Sequence, residues 1–267
     1  MEMKEFNNLI EEIKKTQVII MAGGSAKRFG FSLYDMPKAL LQLNRKPLID
    51  WCIEYYSSCG FEDFILITKH HHEKIEEHIK SNKEKYGECI RIKFVIDPEE
   101  NMGKGKSLVA ALNKIDTNRR AIISYPDDIF IDSSIPISLL LHHISGVKRL
   151  NIIATILFVS GTKYPFGVGE IDEFGVVKNF IEKPIINKFS STGTIVVEPE
   201  FYKILKECID MNAPYPIEFE SVVLPKIASM GKLYSMVVSS DVWIPINTIK
   251  EYELAEKIFK EKRGEFY

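Results

Sequence analysis

Apolar positions along this chain fall into short unbroken runs and longer helical stripes, and the two kinds alternate. Residues 18–22 form the first run and are closed by Gly23-Gly24. An unbroken apolar run bounded by turn residues reads as a strand buried on both faces. Residues 61–68, 90–96, 121–125 and 151–159 repeat that signal. Between them lie segments with helical spacing: 47–59, ended by Gly60, then 70–86, 103–115 and 135–144. Residues 1–15 form a further amphipathic helix, with Phe6, Leu9, Ile10 and Ile13 on one face. Strands separated by helices of about 10–15 residues predict a mostly parallel sheet with helices on both faces, a Rossmann-like three-layer α/β/α sandwich. Ligands of such sheets bind beyond the carboxyl ends of the strands. Gly23-Gly24 and Asp127-Asp128 both fall at such ends.

The pattern changes after residue 160. Residues 166–172 and 176–184 flank Glu173-Phe174-Gly175 and predict a hairpin. A strand at 191–197, helices at 199–211 and 219–230, a strand pair within 233–246 and a helix at 249–262 follow. With no linker, repeat or low-complexity segment, a single domain over 1–267 is predicted. Its α/β half covers about 1–160, and a β-rich half, about 161–267, is inserted to close over the sheet's open edge.

Composition narrows the class. Of 267 residues 45% are apolar, enough for a sizeable core. The net charge of −2 argues against nucleic acid as a partner. No apolar run reaches the roughly 18 residues that a membrane span needs, and the charged N-terminus lacks a signal-peptide core. Neither a membrane partner nor a leader is expected. The four cysteines form no C-x-x-C pair, so neither zinc nor a disulfide framework is indicated and a cytoplasmic protein is expected. His70-His71-His72 reads as a helix entry, because three consecutive side chains cannot face one ion. His142 and His143 read as packing.

The first glycine loop carries the candidate chemistry. Gly23 and Gly24 let backbone N–H groups approach an anion, with no Cβ in the way. Arg28 and Lys38 bring a forked and a point positive charge to the same place. A strand, a glycine loop and two cations suit a triphosphate.

These residues resemble the sugar-1-phosphate nucleotidylyltransferases, the nucleotide-diphospho-sugar pyrophosphorylases. That family opens on L-A-G-G-x-G-T-R-L, then P-K-x-L and K-P-L. Here it stands as Met21-Ala22-Gly23-Gly24-Ser25-Ala26-Lys27-Arg28-Phe29, then Pro37-Lys38-Ala39-Leu40 and Lys46-Pro47-Leu48. Glu99-Glu100-Asn101-Met102-Gly103-Lys104-Gly105 resembles its second nucleotide loop, and Tyr125-Pro126-Asp127-Asp128 its metal-binding turn. Phe166-Gly167-Val168, Glu182-Lys183-Pro184 and Thr192-Gly193-Thr194 resemble its sugar-site strands. Phe219-Glu220 and Val223-Leu224-Pro225 resemble a late helix motif. The ordered matches span nearly the whole chain. Ala26 and Lys27 depart from the family's Gly and Thr, a form that also resembles molybdenum-cofactor guanylyltransferases. Pro245 stands where W-x-D-x-G-T would supply a second metal aspartate, leaving Asp241, Asn247 or Asp128 as substitutes.

The resemblance implies the nucleotide-diphospho-sugar transferase fold, with a nucleotide-binding first half and a sugar-phosphate-binding second half. It implies an Mg²⁺-dependent enzyme joining a nucleoside triphosphate to a hexose 1-phosphate, glucose 1-phosphate being favoured, with release of pyrophosphate. Arg28, Lys38 and Asp127 are then catalytic, and Asp127 holds the metal. Ala22, Gly23, Gly24, Arg28, Lys38 and Gly103 bind the nucleotide; Gly167, Glu182, Lys183 and Gly193 bind the sugar phosphate. A molybdenum-cofactor-type guanylyltransferase and a non-catalytic nucleotide-sugar-binding module stay open, as does a homo-oligomer. The segment from Asp97 to Glu100 lacks the Gln with which thymidylyl and uridylyl members often read the pyrimidine, so the base is not named.

Overall fold

A computed structural model describes residues 3–26, 29, 36–69, 71–97, 102–186 and 188–261. In chain order the first half comprises α1 (Met3–Lys14), β1 (Gln17–Met21), β2 (Gln42–Leu43), β3 (Lys46–Pro47), α2 (Leu48–Ser57), β4 (Asp63–Thr68), α3 (His72–Ser81), α4 (Lys83–Tyr86), β5 (Arg91–Ile96), α5 (Gly103–Ala110), β6 (Ala121–Ser124), β7 (Asp128–Phe130), α6 (Ile135–Leu150) and β8 (Ala154–Ser160). The second half adds β9 (Val168–Ile171), β10 (Val177–Ile181), β11 (Ser190–Val197), α7 (Pro199–Cys208), α8 (Phe219–Ser229), β12 (Leu233–Ser239), β13 (Trp243–Pro245) and α9 (Ile249–Glu261).

One sheet organises the molecule, in the order β12-β8-β11-β6-β1-β4-β5. All neighbours run parallel except β11, which is antiparallel to β6 and β8. The mostly parallel α/β architecture expected from the sequence is the one observed. The central strands alternate between two cores, as a period of two requires. Val18, Ile20, Phe64 and Leu66 face the core under α1, α2, α3 and α6. Ile19, Met21, Ile65 and Ile67 face the core under α5, α7 and α8. Burial on both faces explains why β1 reads as an unbroken apolar run. A third cluster packs Ala26 and Phe29 of the glycine loop against Trp51, Ile244, Ile246 and Phe259, which ties α9 to that loop.

Three expectations need correction. The strands within 233–246 do not pair with each other: β12 is a parallel edge strand on β8, and β13 pairs antiparallel with β7. The second half does not merely close over an edge, since β11 lies inside the sheet between β6 and β8. The helix expected over 70–86 is broken at Asn82, whose side-chain Nδ2 donates to the His78 carbonyl at 2.8 Å. Such side-chain competition for backbone groups ends helices.

Glu198 joins several elements. It accepts from Arg120 Nε at 2.5 Å and from His143 Nε2 at 2.9 Å, while the Thr155 hydroxyl meets His143 Nδ1 at 2.8 Å. Burial holds the His143 imidazole below its usual range despite the Glu198 partner. Burial opposes the charge on Glu198, but His143 and Arg120 outweigh it and hold its carboxyl low. A buried neutral histidine must acquire a proton on unfolding in acid, so its contribution is lost as pH falls through about 6.5, the unfolded value. The Glu198 contribution is present above about 4.3 and lost as pH falls further. The urea midpoint should therefore hold between pH 8 and 7 and decline below about 6.5. In His143→Gln the decline should begin only near the carboxylate range; an unchanged profile in that variant would remove His143 as its source.

Candidate functional site

The carboxyl ends of four neighbouring parallel strands converge on one cavity of about 270 Å³. Ala22, Gly23 and Gly24 follow β1, Lys69 follows β4, Asp97 follows β5, and Tyr125 to Asp127 follow β6. The first turns of α5 close it with Gly103, Lys104 and Ser107, and Glu218 and Lys38 complete the wall.

The glycine loop is pinned at both ends. Ala22 N donates to the Ile67 carbonyl at 2.8 Å, so its own N–H serves the sheet. Lys38 N donates to the Gly24 carbonyl at 3.0 Å, and Ser25 bridges Pro37. The Lys38 side chain is thereby aimed across the cavity, where Nζ ion-pairs with Asp127 Oδ2 and donates to Asn247 Oδ1 at 3.3 Å. Two acceptor oxygens from distant parts of the chain thus meet the Lys38 ammonium.

Asn247 is held there by the start of α9. Glu251 Oε2 accepts from Asn247 N at 2.8 Å and from the Thr248 hydroxyl at 3.1 Å, and Glu251 N donates back to Thr248 Oγ1 at 3.3 Å. This is a capping box, readable in the sequence as Thr248-x-x-Glu251. Asp128 points elsewhere. It pairs with Pro245 across the β7–β13 ribbon and accepts from Trp243 Nε1 at 2.8 Å. Burial, with the charge of Asp127 beside it, pushes its carboxyl well above the usual range. Asp241 is engaged with Ser239 in a short turn and does not line the cavity. Of the three substitutes for the missing aspartate, Asn247 is the one that shares the Lys38 ammonium with Asp127.

A second polar cluster stands at Tyr125. The Tyr125 hydroxyl donates to Glu220 Oε1 at 3.0 Å, Lys104 Nζ ion-pairs with the same oxygen, and Lys104 lies 5.1 Å above the Tyr125 ring. Burial, together with the Glu220 charge, raises the Tyr125 hydroxyl far above its usual range, so it stays a donor. Gly193 sits in an irregular stretch of β11, with φ +84°, where a Cβ would come within 2.8 Å of the Tyr125 ring. Bulges of this kind recur beside active sites.

Of the residues singled out from the sequence, Ala22, Gly23, Gly24, Lys38, Gly103 and Asp127 share the cavity, and Gly193 lies behind its Tyr125 wall. Gly167, Glu182 and Lys183 belong to the β9–β10 hairpin and do not line it; Glu182 and Lys183 are exposed and lie 3.7 Å apart. Gly167 packs under the Phe180 ring. Arg28 lies outside the described residues. Sequence reasoning passed over Lys69, Asp97, Ser107 and Glu218 as wall residues. Lys69 and Asp97 each directly follow a parallel strand, and that position was the available signal.

The model of the family described as nucleotidyl transferase matches residues 17–261. The chain belongs to the nucleotidyl transferase family. Within that family it is similar to the mannose-1-phosphate guanylyltransferase catalytic subunit beta of Drosophila pseudoobscura pseudoobscura, 24% identical over 241 residues, which are 89% of this chain and 60% of that protein. It is 25% identical over 225 residues to the UTP–glucose-1-phosphate uridylyltransferase 1 of Staphylococcus saprophyticus, covering 73% of this chain and 76% of that one. The chain spans about three fifths of the length of the mannose-1-phosphate guanylyltransferases it matches. A crystal structure of UDP-glucose pyrophosphorylase complexed with UDP-glucose shares the fold, with a TM-score of 0.68 at 19% identity over 93% of this chain and 99% of that one. Among the described residues, no helix is long and apolar enough to cross a membrane.

Proposed function

We propose that this chain joins a nucleoside triphosphate to a hexose 1-phosphate, giving a nucleotide sugar and pyrophosphate. The observation that carries the reading is the convergence of Lys38, Asp127 and the Gly23-Gly24 loop at the carboxyl ends of adjacent parallel strands. A sugar-phosphate oxygen attacks the α-phosphorus and pyrophosphate departs. Such a step needs alignment of two anions and neutralisation of charge on the leaving group. The Gly23 and Gly24 backbone holds the phosphates, and Lys38 meets the charge that develops on pyrophosphate. Arg28, from the same loop, is proposed to share that task. The Tyr125, Lys104 and Glu220 cluster forms the wall towards the second substrate.

Mg²⁺ fits the residues present. Asp127 and Asn247 offer a carboxylate and an amide oxygen to one cation, and Mg²⁺ takes one or two carboxylates and fills its sphere with phosphate oxygens and water. Among the described residues no three His, Cys, Asp or Glu side chains gather into a metal cage, which suits an ion shared with the substrate. When bound, the ion supplies positive charge to the phosphate oxygens.

The hairpin is the proposed carrier of the sugar phosphate. It leaves the sheet at the carboxyl end of β8, which is parallel to β6, and so springs from the same edge as the cavity. The relatives' names supply glucose and mannose as candidate hexoses, and glucose 1-phosphate remains the favoured one. Pyrophosphate release should be measured with a panel of sugar 1-phosphates and triphosphates plus Mg²⁺. Lys183→Ala should raise KM for the sugar phosphate about 10- to 100-fold, the worth of one charge-assisted hydrogen bond, with KM for the triphosphate little changed. A rise confined to the triphosphate would reverse the two subsites. Release with molybdopterin alone among the acceptors would favour the cofactor guanylyltransferase. Binding without release from any pair would favour a non-catalytic module, the reading that Pro245 keeps open.

A further inference from the structure

The β9–β10 hairpin stands apart from the main sheet. Among the described residues its strands pair only with each other, and every residue of both strands is exposed. A lone two-stranded hairpin is at best marginally stable in water, and packing a hydrophobic face on another layer is what stabilises one. The register supplies such a face. Ile171 pairs with Val177 and Gly169 with Phe180, so Ile171, Val177 and Phe180 share one side with only glycine beside them. Val168, Glu170, Asn179 and Ile181 take the other side. One face is therefore wholly apolar and the other mixed. The tip adds Phe174, which is 84% exposed. The turn is built without that side chain. Asp172 Oδ1 accepts from Phe174 N at 3.0 Å and Val176 N at 2.9 Å, and Gly175, with φ +82°, donates to the Asp172 carbonyl at 3.0 Å. Nothing in the turn itself calls for a phenylalanine.

We propose that this hairpin is a dimer contact, its apolar face and Phe174 packing on the same surface of a second copy of this chain about a two-fold axis. Area supports the occupant. At about 150–250 Å² per aromatic side chain and roughly 60–120 Å² per aliphatic one, the exposed parts of Ile171, Phe174, Val177 and Phe180 present about 300–500 Å² of apolar surface. Apolar atoms make up about 56–65% of an interface, so this patch belongs to a footprint of about 500–800 Å² per partner, reaching the size of a standard stable contact. Charge supports it too. The apolar face carries no charge to steer a partner of either sign, and on the rest of the hairpin Glu170, Asp172 and Glu173 outnumber Lys178, which is already paired with Asp172 at 2.9 Å. An anionic lipid surface or a polyanion would be repelled. A flat, uncharged β face is matched in shape and polarity by another of its kind, as in two sheets packed face to face, and a two-fold axis sets each copy's patch against itself. The contact centres on the distal end of the hairpin, whereas Glu182 and Lys183 follow β10 at its stem.

Sedimentation equilibrium on the full chain over a dilution series tests the assignment. The wild type should give twice its 30.7 kDa mass and fall towards the single-chain mass on dilution. Phe174→Ser should raise the dimer dissociation constant about 30-fold or more, the scale of an aromatic hot spot, with the thermal melt measured beside it at a concentration where both proteins are monomeric. Asn179→Asp, on the mixed face, should stay dimeric. Amide exchange on the wild type locates the contact without any variant: protection within residues 168–181 should rise with protein concentration. A wild type of single-chain mass at every concentration would overturn the proposal. So would a dimer that Phe174→Ser leaves intact, one lost as readily in Asn179→Asp, or one whose concentration-dependent protection lies outside the hairpin. Single-chain protein that sediments with phosphatidylcholine vesicles would assign the face to a membrane surface instead.

Discussion

Asp127→Asn should lower Mg²⁺-dependent turnover about 100-fold or more while leaving the thermal melt close to wild type. The two halves of that expectation have separate causes. The Asp127 side chain is 23% exposed, and its visible partner is the Lys38 ammonium. A pair so open to water contributes on the order of 1 kcal/mol or less, and Asn247 Oδ1 remains to accept from Lys38 in the variant. Turnover differs because a neutral amide leaves a divalent ion with almost no protein charge, and a 100-fold loss corresponds to about 2.7 kcal/mol in the barrier. Raising Mg²⁺ should recover part of the rate. Turnover within about threefold of wild type at every Mg²⁺ concentration would place the metal elsewhere. Pro245→Asp makes the converse case. Pro245 shares a strand face with Trp243, which donates to Asp128. A carboxylate there would stand against the buried Asp128 rather than in the cavity, so it should destabilise the fold by like-charge crowding while leaving the Mg²⁺ needed for half-maximal rate little changed.

The parallel core was legible because burial on both faces leaves a plain mark: β1, β4 and β6 read as unbroken apolar runs. What the pattern could not show was pairing. β11 and β12 carry apolar residues that suit an edge or an interior position equally, and only the sheet order reveals that β11 is interior and reversed. The site divides in the same way. Gly23, Gly24, Lys38 and Asp127 lie in or beside recognisable motifs near strand ends. Asn247 reaches the Lys38–Asp127 pair, through Lys38, from more than a hundred residues away, by way of a capping box whose purpose is visible only once α9 is docked. Asp97 was visible only as one end of the second nucleotide-loop segment; that it lines the cavity follows from its place directly after β5.

Gly103→Ala should be the most damaging glycine replacement in the cavity wall, and its cause is the fold rather than the ligand. Gly103 has φ +75°, and a Cβ there would lie 2.6–2.8 Å from the N, O and C atoms of Ile217. That neighbour cannot step aside cheaply, because Ile217 N donates to the Met102 carbonyl at 3.0 Å and its own carbonyl accepts from Gly105 N at 2.8 Å. A left-handed conformation costs an alanine about 1–2 kcal/mol, and overpacking against fixed atoms about 1–3 kcal/mol more. A loss of about 3 kcal/mol should lower Tm by roughly 6–12 °C in a chain of this size. Gly24→Ala supplies the contrast. Its nearest atoms would be Lys38 Cβ and Cδ, both at 3.8 Å, so the folded state has room for the methyl group. Its Tm should stay within about 2 °C of wild type, since a compatible Gly→Ala change costs nothing and narrows the unfolded ensemble. Its affinity for nucleoside triphosphate should nevertheless fall, because the methyl group stands where phosphate oxygens approach the backbone. Melting curves and triphosphate titrations on the two variants separate the roles. A Gly103→Ala protein as stable as wild type would refute the packing account, and a Gly24→Ala protein with unchanged affinity would remove the loop as the phosphate cradle.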